Sequence, residues 1–203
     1  MKNPVGVAIL LLLTGLGIGA TYLMHLGTAG RIEAQRQAVA DKSLLEVLPA
    51  ERYDNQPLAH AVLAAPVVLA HSTLLDGYLA THNGRPSAVL LRSEALGYEG
   101  RIELLVAIDP QGRLLGVKTL HQTETPGLGE AIAGWPNAWL QTFTGHSRKT
   151  PDDSGWALKK DQGQFDQLAG ATVTSRAVLQ AVHDALRYFD EHKAQLTEGA
   201  SDE

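Results

Sequence analysis

The chain has 203 residues and a formal net charge of −5, with eight histidines and no cysteine. The negative charge argues against nucleic acid as a partner, and the lack of thiols excludes disulfides, thiolate-bound iron–sulfur clusters and cysteine nucleophiles. Redox chemistry in this chain would therefore need an imported organic cofactor or a metal held without thiolates.

An uncharged apolar run extends from Pro4 to Met24. At about 1.5 Å per residue it spans roughly 30 Å, the thickness of a bilayer core. A cleavable signal peptide is the competing interpretation, because Lys2 precedes the run and small residues follow it. The length of the run favours an uncleaved membrane anchor at residues 1–29. Basic residues lie on both sides of the run, so charge alone does not settle its orientation.

The rest of the chain predicts an α+β domain. Residues 30–70 form a helical linker and a lead-in segment, with a surface helix that Pro49 ends. The apolar period then changes to two, and turn signals at 83–84 and 109–112 divide the sequence into paired strands. The predicted strands are residues 78–82, 87–92, 101–108 and 113–120. Residues 71–192 thus predict one domain with an antiparallel sheet, consistent with a meander, and flanking helices.

Helical patterns dominate the second half. Residues 129–144 predict a helix interrupted at Pro136, and residues 156–160 a short strand. The last helix runs from Arg176 to about Glu191, and its apolar residues recur at helical spacing, which predicts a buried face. Residues 193–203 predict a disordered tail. The residues of the buried face are Val178, Val182, Leu186 and Phe189.

A stretch directly before the last helix combines a carboxylate, small residues and hydroxyls: residues 166–175, Asp-Gln-Leu-Ala-Gly-Ala-Thr-Val-Thr-Ser. Gly170 and Ala171 leave little bulk beside Thr172, so a large reagent can reach its hydroxyl. Thr174 or Ser175 is the predicted N-cap. A phosphate beside Thr172 would meet the unpaired N–H groups of the helix start. The local pattern alone favours an ordinary capped helix start.

A second stretch, Glu124-Thr125-Pro126-Gly127-Leu128-Gly129, is incompatible with regular structure. It is either a plain turn or a loop that lays its backbone against a ligand ring, with Leu128 as an apolar lid. Lys159 and Lys160 either steady a phosphate or another anionic part of a ligand, or are simply solvated.

These residues carry a resemblance. Residues 166–172 resemble Asp-x-x-(Ser/Thr)-Gly-Ala-Thr, the flavinylation motif of the FMN-binding domain family, with Ala169 where Ser or Thr is usual. Together with the 121–129 stretch, the 156–161 stretch and the N-terminal run, nearly the whole chain is similar to the G subunits of Rnf-type electron-transport complexes. The resemblance makes residues 71–192 an FMN-binding domain.

The resemblance also implies FMN joined to Thr172 through a phosphoester that a separate flavin transferase installs. It implies a component of a bacterial inner-membrane complex that moves electrons between ferredoxin and NAD, coupled to Na⁺ or H⁺, with the domain on the periplasmic side and no independent turnover. The cofactor-site candidates are Asp166, Gly170, Ala171, Thr172, Thr174, Ser175, Glu124, Thr125, Gly127, Leu128, Lys159 and Lys160.

Two alternatives remain open from the sequence. One is an anchored assembly or binding module whose Thr172 stays unmodified, which the Ala169 departure favours. The other is a component like the C subunit of the sodium-pumping NADH:quinone oxidoreductase, which shares motif and anchor in a longer chain. The histidines show no metal-ligand spacing, and neither a phosphate loop nor a nucleophile elbow is present. No metal site is predicted.

Overall fold

The computed structural model describes residues 14–15, 45–59, 61–63 and 65–198. The chain divides into two units, Met1–Ser43 and Leu44–Glu203, and the elements discussed below belong to the second. Apart from residues 14–15, the predicted anchor at 1–29 lies outside the described residues, as does most of the helix predicted before Pro49. Within the described ranges, no helix has the length and apolar character needed to cross a bilayer.

The described part of the chain forms a five-stranded antiparallel sheet in sequential order, which is a meander. The four predicted strands are confirmed, three of them longer than predicted or shifted by a residue, and a two-residue edge strand precedes them. The strands are β1 Val67–Val68, β2 Ser72–His82, β3 Arg85–Leu96, β4 Arg101–Ile108 and β5 Leu114–His121.

Both predicted turns are present and have a chemical cause. Asn83 and Gly84 have φ values of 53° and 70°, the left-handed pair that a two-residue hairpin requires. In the second turn the Asp109 side chain accepts hydrogen bonds from the N–H groups of Gln111 at 2.8 Å and Arg113 at 2.9 Å. These turns join β2 to β3 and β4 to β5, as the sequence predicts.

The region after β5 is less helical than predicted. A 3-10 helix, Gly129–Ile132, is followed by α1, Ala138–Gln141. Pro136 separates them, and Asn137 caps α1 by accepting from the N–H groups of Trp139 and Leu140. The remaining 3-10 helices of the described ranges are Ala50–Arg52, Pro57–Ala59 and Lys159–Asp161.

The strand predicted at residues 156–160 is wrong. Leu158 makes a single bridge to Phe165. Its carbonyl then accepts from the N–H groups of Asp161 at 2.7 Å and Gly163 at 2.9 Å. Because the backbone folds back on this one carbonyl, the chain turns into a short 3-10 helix.

The last helix, α2, runs from Thr172 to Glu198 and is longer than predicted at both ends. Thr174 and Ser175 lie inside its first turn, so the prediction that one of them is the N-cap is wrong. The backbone is non-helical at His192, with φ −119°. Leu196 beyond that kink is buried in the main core. Burial of this side chain ties down the segment, so the disordered tail predicted from residue 193 is wrong as far as Glu198.

The sheet has an apolar layer on each face. The predicted buried face of α2 packs into the larger cluster, and β4 shows how the strands serve both sides. Leu104 and Val106 belong to the cluster under α2, whereas Leu105 and Ala107 belong to a smaller cluster with Val47 and Leu48. Because β4 is covered on both faces from Leu104 to Ile108, this part of the strand is continuously apolar rather than alternating. This sheet carries the β3–β4 hairpin and the loop after β5, which border the site.

Candidate flavin site

A cavity of about 410 Å³ lies where three segments meet: the β3–β4 hairpin, the loop after β5 and the start of α2. Both stretches singled out in the sequence contribute to it, although they are far apart along the chain. Its wall includes seven of the predicted site residues: Glu124, Thr125, Leu128, Gly170, Ala171, Thr172 and Thr174. Five predicted residues do not line it: Gly127, Lys159, Lys160, Asp166 and Ser175.

Three hydroxyl groups occupy the first turn of α2, and they differ in access. Thr172 is partly exposed, and its Oγ1 donates to Gln167 Oε1 at 3.2 Å. Thr174 is 1% exposed and donates to the Glu124 carboxylate. Ser175 is fully buried, donates to the Ala171 carbonyl at 2.8 Å and accepts from the Leu168 N–H at 3.0 Å. Thr172 therefore presents the hydroxyl that a reagent in the cavity can reach.

The turn before α2 is built from small residues so that the loop after β5 can approach it. Gly170 has φ 72°, and a Cβ there would lie 2.7 Å from Leu128 Cδ2. The Ala171 N–H donates to the Leu168 carbonyl at 3.1 Å, which closes the turn. Glycine at position 170 thus allows both the left-handed backbone and the contact with Leu128.

The loop after β5 is a tight turn with an exposed apolar tip. The Thr125 carbonyl accepts from the N–H groups of Leu128 at 3.1 Å and Glu130 at 3.2 Å. Gly127 has φ 75° and lies in open space. Leu128 remains 43% exposed beside the cavity. An exposed apolar side chain at this position is surface that a ligand in the cavity can contact.

Three of the four charged candidates, Lys159, Lys160 and Asp166, lie outside the cavity wall. Lys159 Nζ and Asp166 Oδ2 form an ion pair of 2.7 Å in which both side chains are exposed. The Asp166 carbonyl accepts from Trp139 Nε1 at 2.8 Å, which holds the backbone of the loop. Lys160 is also exposed. An exposed ion pair contributes little to stability, and the Asp166 carboxylate stays accessible to solvent.

Four cavity residues were not among the predicted site residues: Tyr98, Gly129, Gln167 and Val173. Tyr98 lies at the tip of the β3–β4 hairpin and is 70% exposed. A tyrosine between Gly97 and Gly100 in a hairpin is a signal in the sequence that could have identified it, because such a turn does not need an aromatic side chain. Val173 carried no comparable signal.

Comparison of the chain with known proteins shows the family to which it belongs. The family model of the FMN-binding domain matches residues 97–187, a range that contains every residue lining the cavity. The G subunit of the ion-translocating oxidoreductase complex from Pseudomonas aeruginosa is 49% identical over 183 residues, covering 89% of this chain and 85% of that one. The chain belongs to this G-subunit family. The resemblance inferred from the motifs is confirmed.

Further matches differ in strength. A relative from Shewanella loihica with the same subunit name is 40% identical over 176 residues, covering 86% of this chain and 83% of that one. Among solved structures, the C subunit of the Na⁺-translocating NADH-quinone reductase from Parabacteroides distasonis has a TM-score of 0.46 and 22% identity, covering 62% of this chain and 63% of that one.

The cavity of this G-subunit family member fits FMN in its chemistry. The N-terminus of α2 offers backbone N–H groups and a positive dipole end to a phosphate. Leu128, Val173 and Tyr98 supply apolar surface for a flat ring. The volume lies within the range usual for small-molecule sites. Backbone donors at one end and apolar walls at the other are what a phosphorylated aromatic cofactor needs.

Proposed function

We propose that the chain is a membrane-anchored electron-transfer protein that holds FMN through a phosphoester to Thr172. The observation that carries this proposal is the contrast among the three hydroxyls of the α2 start. Thr174 and Ser175 are buried and their hydroxyls are engaged in hydrogen bonds with Glu124 and Ala171. Thr172 faces the cavity with only Gln167 as a partner in the described contacts.

The residues of this chain position the cofactor, and bound FMN would supply the electron transfer through its ring. The attachment reaction would form a bond between Thr172 Oγ1 and the phosphorus of FMN, and the hydroxyl proton would pass to the group that the phosphorus releases. The N-terminus of α2 stabilises the phosphate negative charge beside Thr172. Leu128 and Val173 would cover the apolar ring of FMN and exclude water from it.

The wider role rests on the family. The relatives are named as subunits of an ion-translocating oxidoreductase complex. We infer that this chain likewise works with the other subunits of such a complex, in the bacterial inner membrane, with its domain on the periplasmic side. Electrons would pass between ferredoxin and NAD, coupled to Na⁺ or H⁺. A covalent tether suits that location because a dissociated cofactor would be lost from the membrane surface. A separate flavin transferase is required for maturation.

Covalent attachment is tested on protein from its native membrane. We expect the acid-precipitated chain to stay yellow and to fluoresce in a denaturing gel. The Thr172→Val variant, which keeps the shape but lacks the hydroxyl, should lose all covalent flavin. Its thermal unfolding should remain close to wild type, because Thr172 is partly exposed.

The competing proposal of an assembly module with unmodified Thr172 makes the opposite prediction. Its support is Ala169, which stands where the flavinylation motif has Ser or Thr. Because Ala169 is exposed in the turn, a hydroxyl at this position is not needed for the fold. A colourless precipitate from the native membrane would favour that module and reject the carrier.

A further inference from the structure

A single buried carboxylate joins the three segments that form the cavity. Glu124 is 5% exposed, although it belongs to a loop. Its Oε2 accepts from the Tyr98 N–H at 3.2 Å and from the Thr174 hydroxyl, and its Oε1 accepts from the Glu99 N–H at 3.2 Å. Two of these donors lie in the β3–β4 hairpin and the third in α2. The contact with Thr174 directly connects the two stretches that the sequence singled out.

The surroundings of this carboxylate leave no room for larger residues. A Cβ at Gly129 would lie 2.7 Å from both Glu124 Oε2 and Thr174 Oγ1, and a Cβ at Gly97 would collide with Glu124 Oε1. Glycine therefore stands on both sides of the Glu124 side chain. This packing fixes where the carboxylate can lie and, through its hydrogen bonds, where the hairpin and the helix start lie relative to it.

The chemistry of the site requires a carboxylate. A buried carboxylate must have its oxygens satisfied by donors, and hydrogen bonds to a charged group are stronger than neutral ones. A glutamine of the same shape would turn one acceptor into an amide N–H₂, which would face a backbone N–H or the Thr174 hydroxyl. At least one of the three hydrogen bonds would then be lost or reorganised.

We propose that Glu124 is a positioning residue that holds the β3–β4 hairpin and the Leu128 loop against α2 and thereby sets the shape of the cavity. It acts through the Tyr98 and Thr174 segments, whereas the Thr172 hydroxyl has a separate partner, Gln167. The effect on the flavin environment rests on the proposed function. The effect on the protein backbone does not.

Hydrogen exchange of the full-length protein in detergent tests the backbone effect without relying on flavin. Glu124→Gln and Thr174→Val are each introduced into the Thr172→Val protein, which lacks the attachment hydroxyl. Each double variant is compared with the Thr172→Val protein. We expect peptides covering residues 97–100 to exchange roughly tenfold faster in Glu124→Gln, because the loss of a hydrogen bond to a charged group is of this order. Peptides covering 178–189 should be unchanged, which shows that the core is intact.

Glu191→Gln is the matched control. It removes a carboxylate that pairs with Arg148 on the surface at 3.5 Å. Glu191 lies about 28 Å along α2 from Thr172 at 1.5 Å per residue. In the Glu191→Gln control, hydrogen exchange at residues 97–100 should equal that of the Thr172→Val protein. Unchanged exchange at 97–100 in Glu124→Gln would overturn the proposal, as would equal acceleration in the Glu191→Gln control.

The flavin arm uses the same substitutions in protein that retains Thr172, with fluorescence normalised to covalently bound flavin. We expect stronger quenching by iodide and a shifted midpoint potential in Glu124→Gln, and a smaller change of the same kind in Thr174→Val. Faster exchange with unaltered flavin properties would reject the link to the cofactor and leave a purely structural contact. Wild-type protein without covalent flavin would reject the proposed function, whereas the exchange result would still stand.

Discussion

Two regions of the domain contain large apolar side chains, which are buried in one region and exposed in the other. Phe143, Trp156 and Phe165 form an aromatic cluster in which ring centroids lie 4.9 to 6.4 Å apart and all three side chains are buried. Around the cavity, Tyr98 and Leu128 are exposed. The aromatic cluster completes its packing within the chain, but the cavity rim does not. Apolar surface kept open around a cavity is surface available to a ligand or partner.

The comparison is sharpest for stability. Phe143→Ala should destabilise the domain by about 3–5 kcal/mol, the usual cost of removing a buried phenylalanine. Tyr98→Ala should change stability by no more than about 0.5 kcal/mol, because its ring is largely in solvent. Urea unfolding of both variants measures the difference. Equal destabilisation would mean that the cavity rim is part of the core, and the contrast between the regions would fail.

The next largest effect concerns Asp166, next to the cavity. We expect Asp166→Ala to lower covalent flavin loading strongly while changing stability by less than about 1 kcal/mol, because its ion pair with Lys159 is exposed. Lys159→Met is the control, since it breaks the same pair but keeps the carboxylate, and it should load normally. In-gel flavin fluorescence separates the two. Equal loss in both variants would assign the effect to the ion pair rather than to the carboxylate.

Gly127 tests whether the loop after β5 serves the cavity. Gly127→Val places a branched side chain at φ 75°, a strain of about 1–2 kcal/mol, in open space. We expect covalent attachment to survive while the flavin absorption band, solvent quenching and midpoint potential shift. Gly134→Val is the control, because Gly134 also has open space and φ 82° but does not line the cavity. Identical spectra in both variants would make the loop a structural turn only.

The smallest expected effect lies at the aromatic cluster. His183 stacks on Trp156 with ring centroids 5.4 Å apart, and burial lowers its pKa, while a hydrogen bond to Asp153 partly opposes that shift. Because the folded-state pKa lies below the unfolded value of about 6.5, unfolding takes up a proton. The stability contribution is therefore complete above pH 6.5 and is lost as the pH falls toward the folded-state pKa. His183→Phe should flatten the dependence of unfolding free energy on pH in the range just below pH 6.5. An unchanged slope in pH-dependent urea unfolding would contradict this assignment.

The sequence predicted the sheet well because its signals are local. The left-handed pair Asn83-Gly84 and the alternation in β2 and β3 specify pairing between neighbours. The start of α2 was misplaced by contrast, because the hydroxyls of Thr174 and Ser175 resemble N-caps. The structure uses them instead to bind Glu124 and the 168–171 turn. Ser and Thr hydroxyls can serve either as helix N-caps or in tertiary hydrogen bonds, so the local sequence pattern cannot distinguish the two roles.

In the candidate site, too, local features were predictable from the sequence and long-range contacts were not. The two motifs predicted Thr172 and Leu128 as site residues from local signals, and both line the cavity. Their meeting in one cavity depends on the meander that brings the loop after β5 beside α2. The role of the Glu124 side chain was not predictable, because its donors come from the hairpin at Tyr98 and from Thr174, on either side of it in sequence.

Peptide mapping of the protein from its native membrane tests the central claim most directly. The account predicts that a proteolytic peptide containing residues 166–176 carries the added mass of FMN and that fragmentation places it on Thr172. Thr174 is the informative alternative within the same peptide, because its hydroxyl is buried against Glu124. FMN on Thr172 would support the accessible-hydroxyl account. FMN on Thr174, or a peptide of unmodified mass, would contradict it.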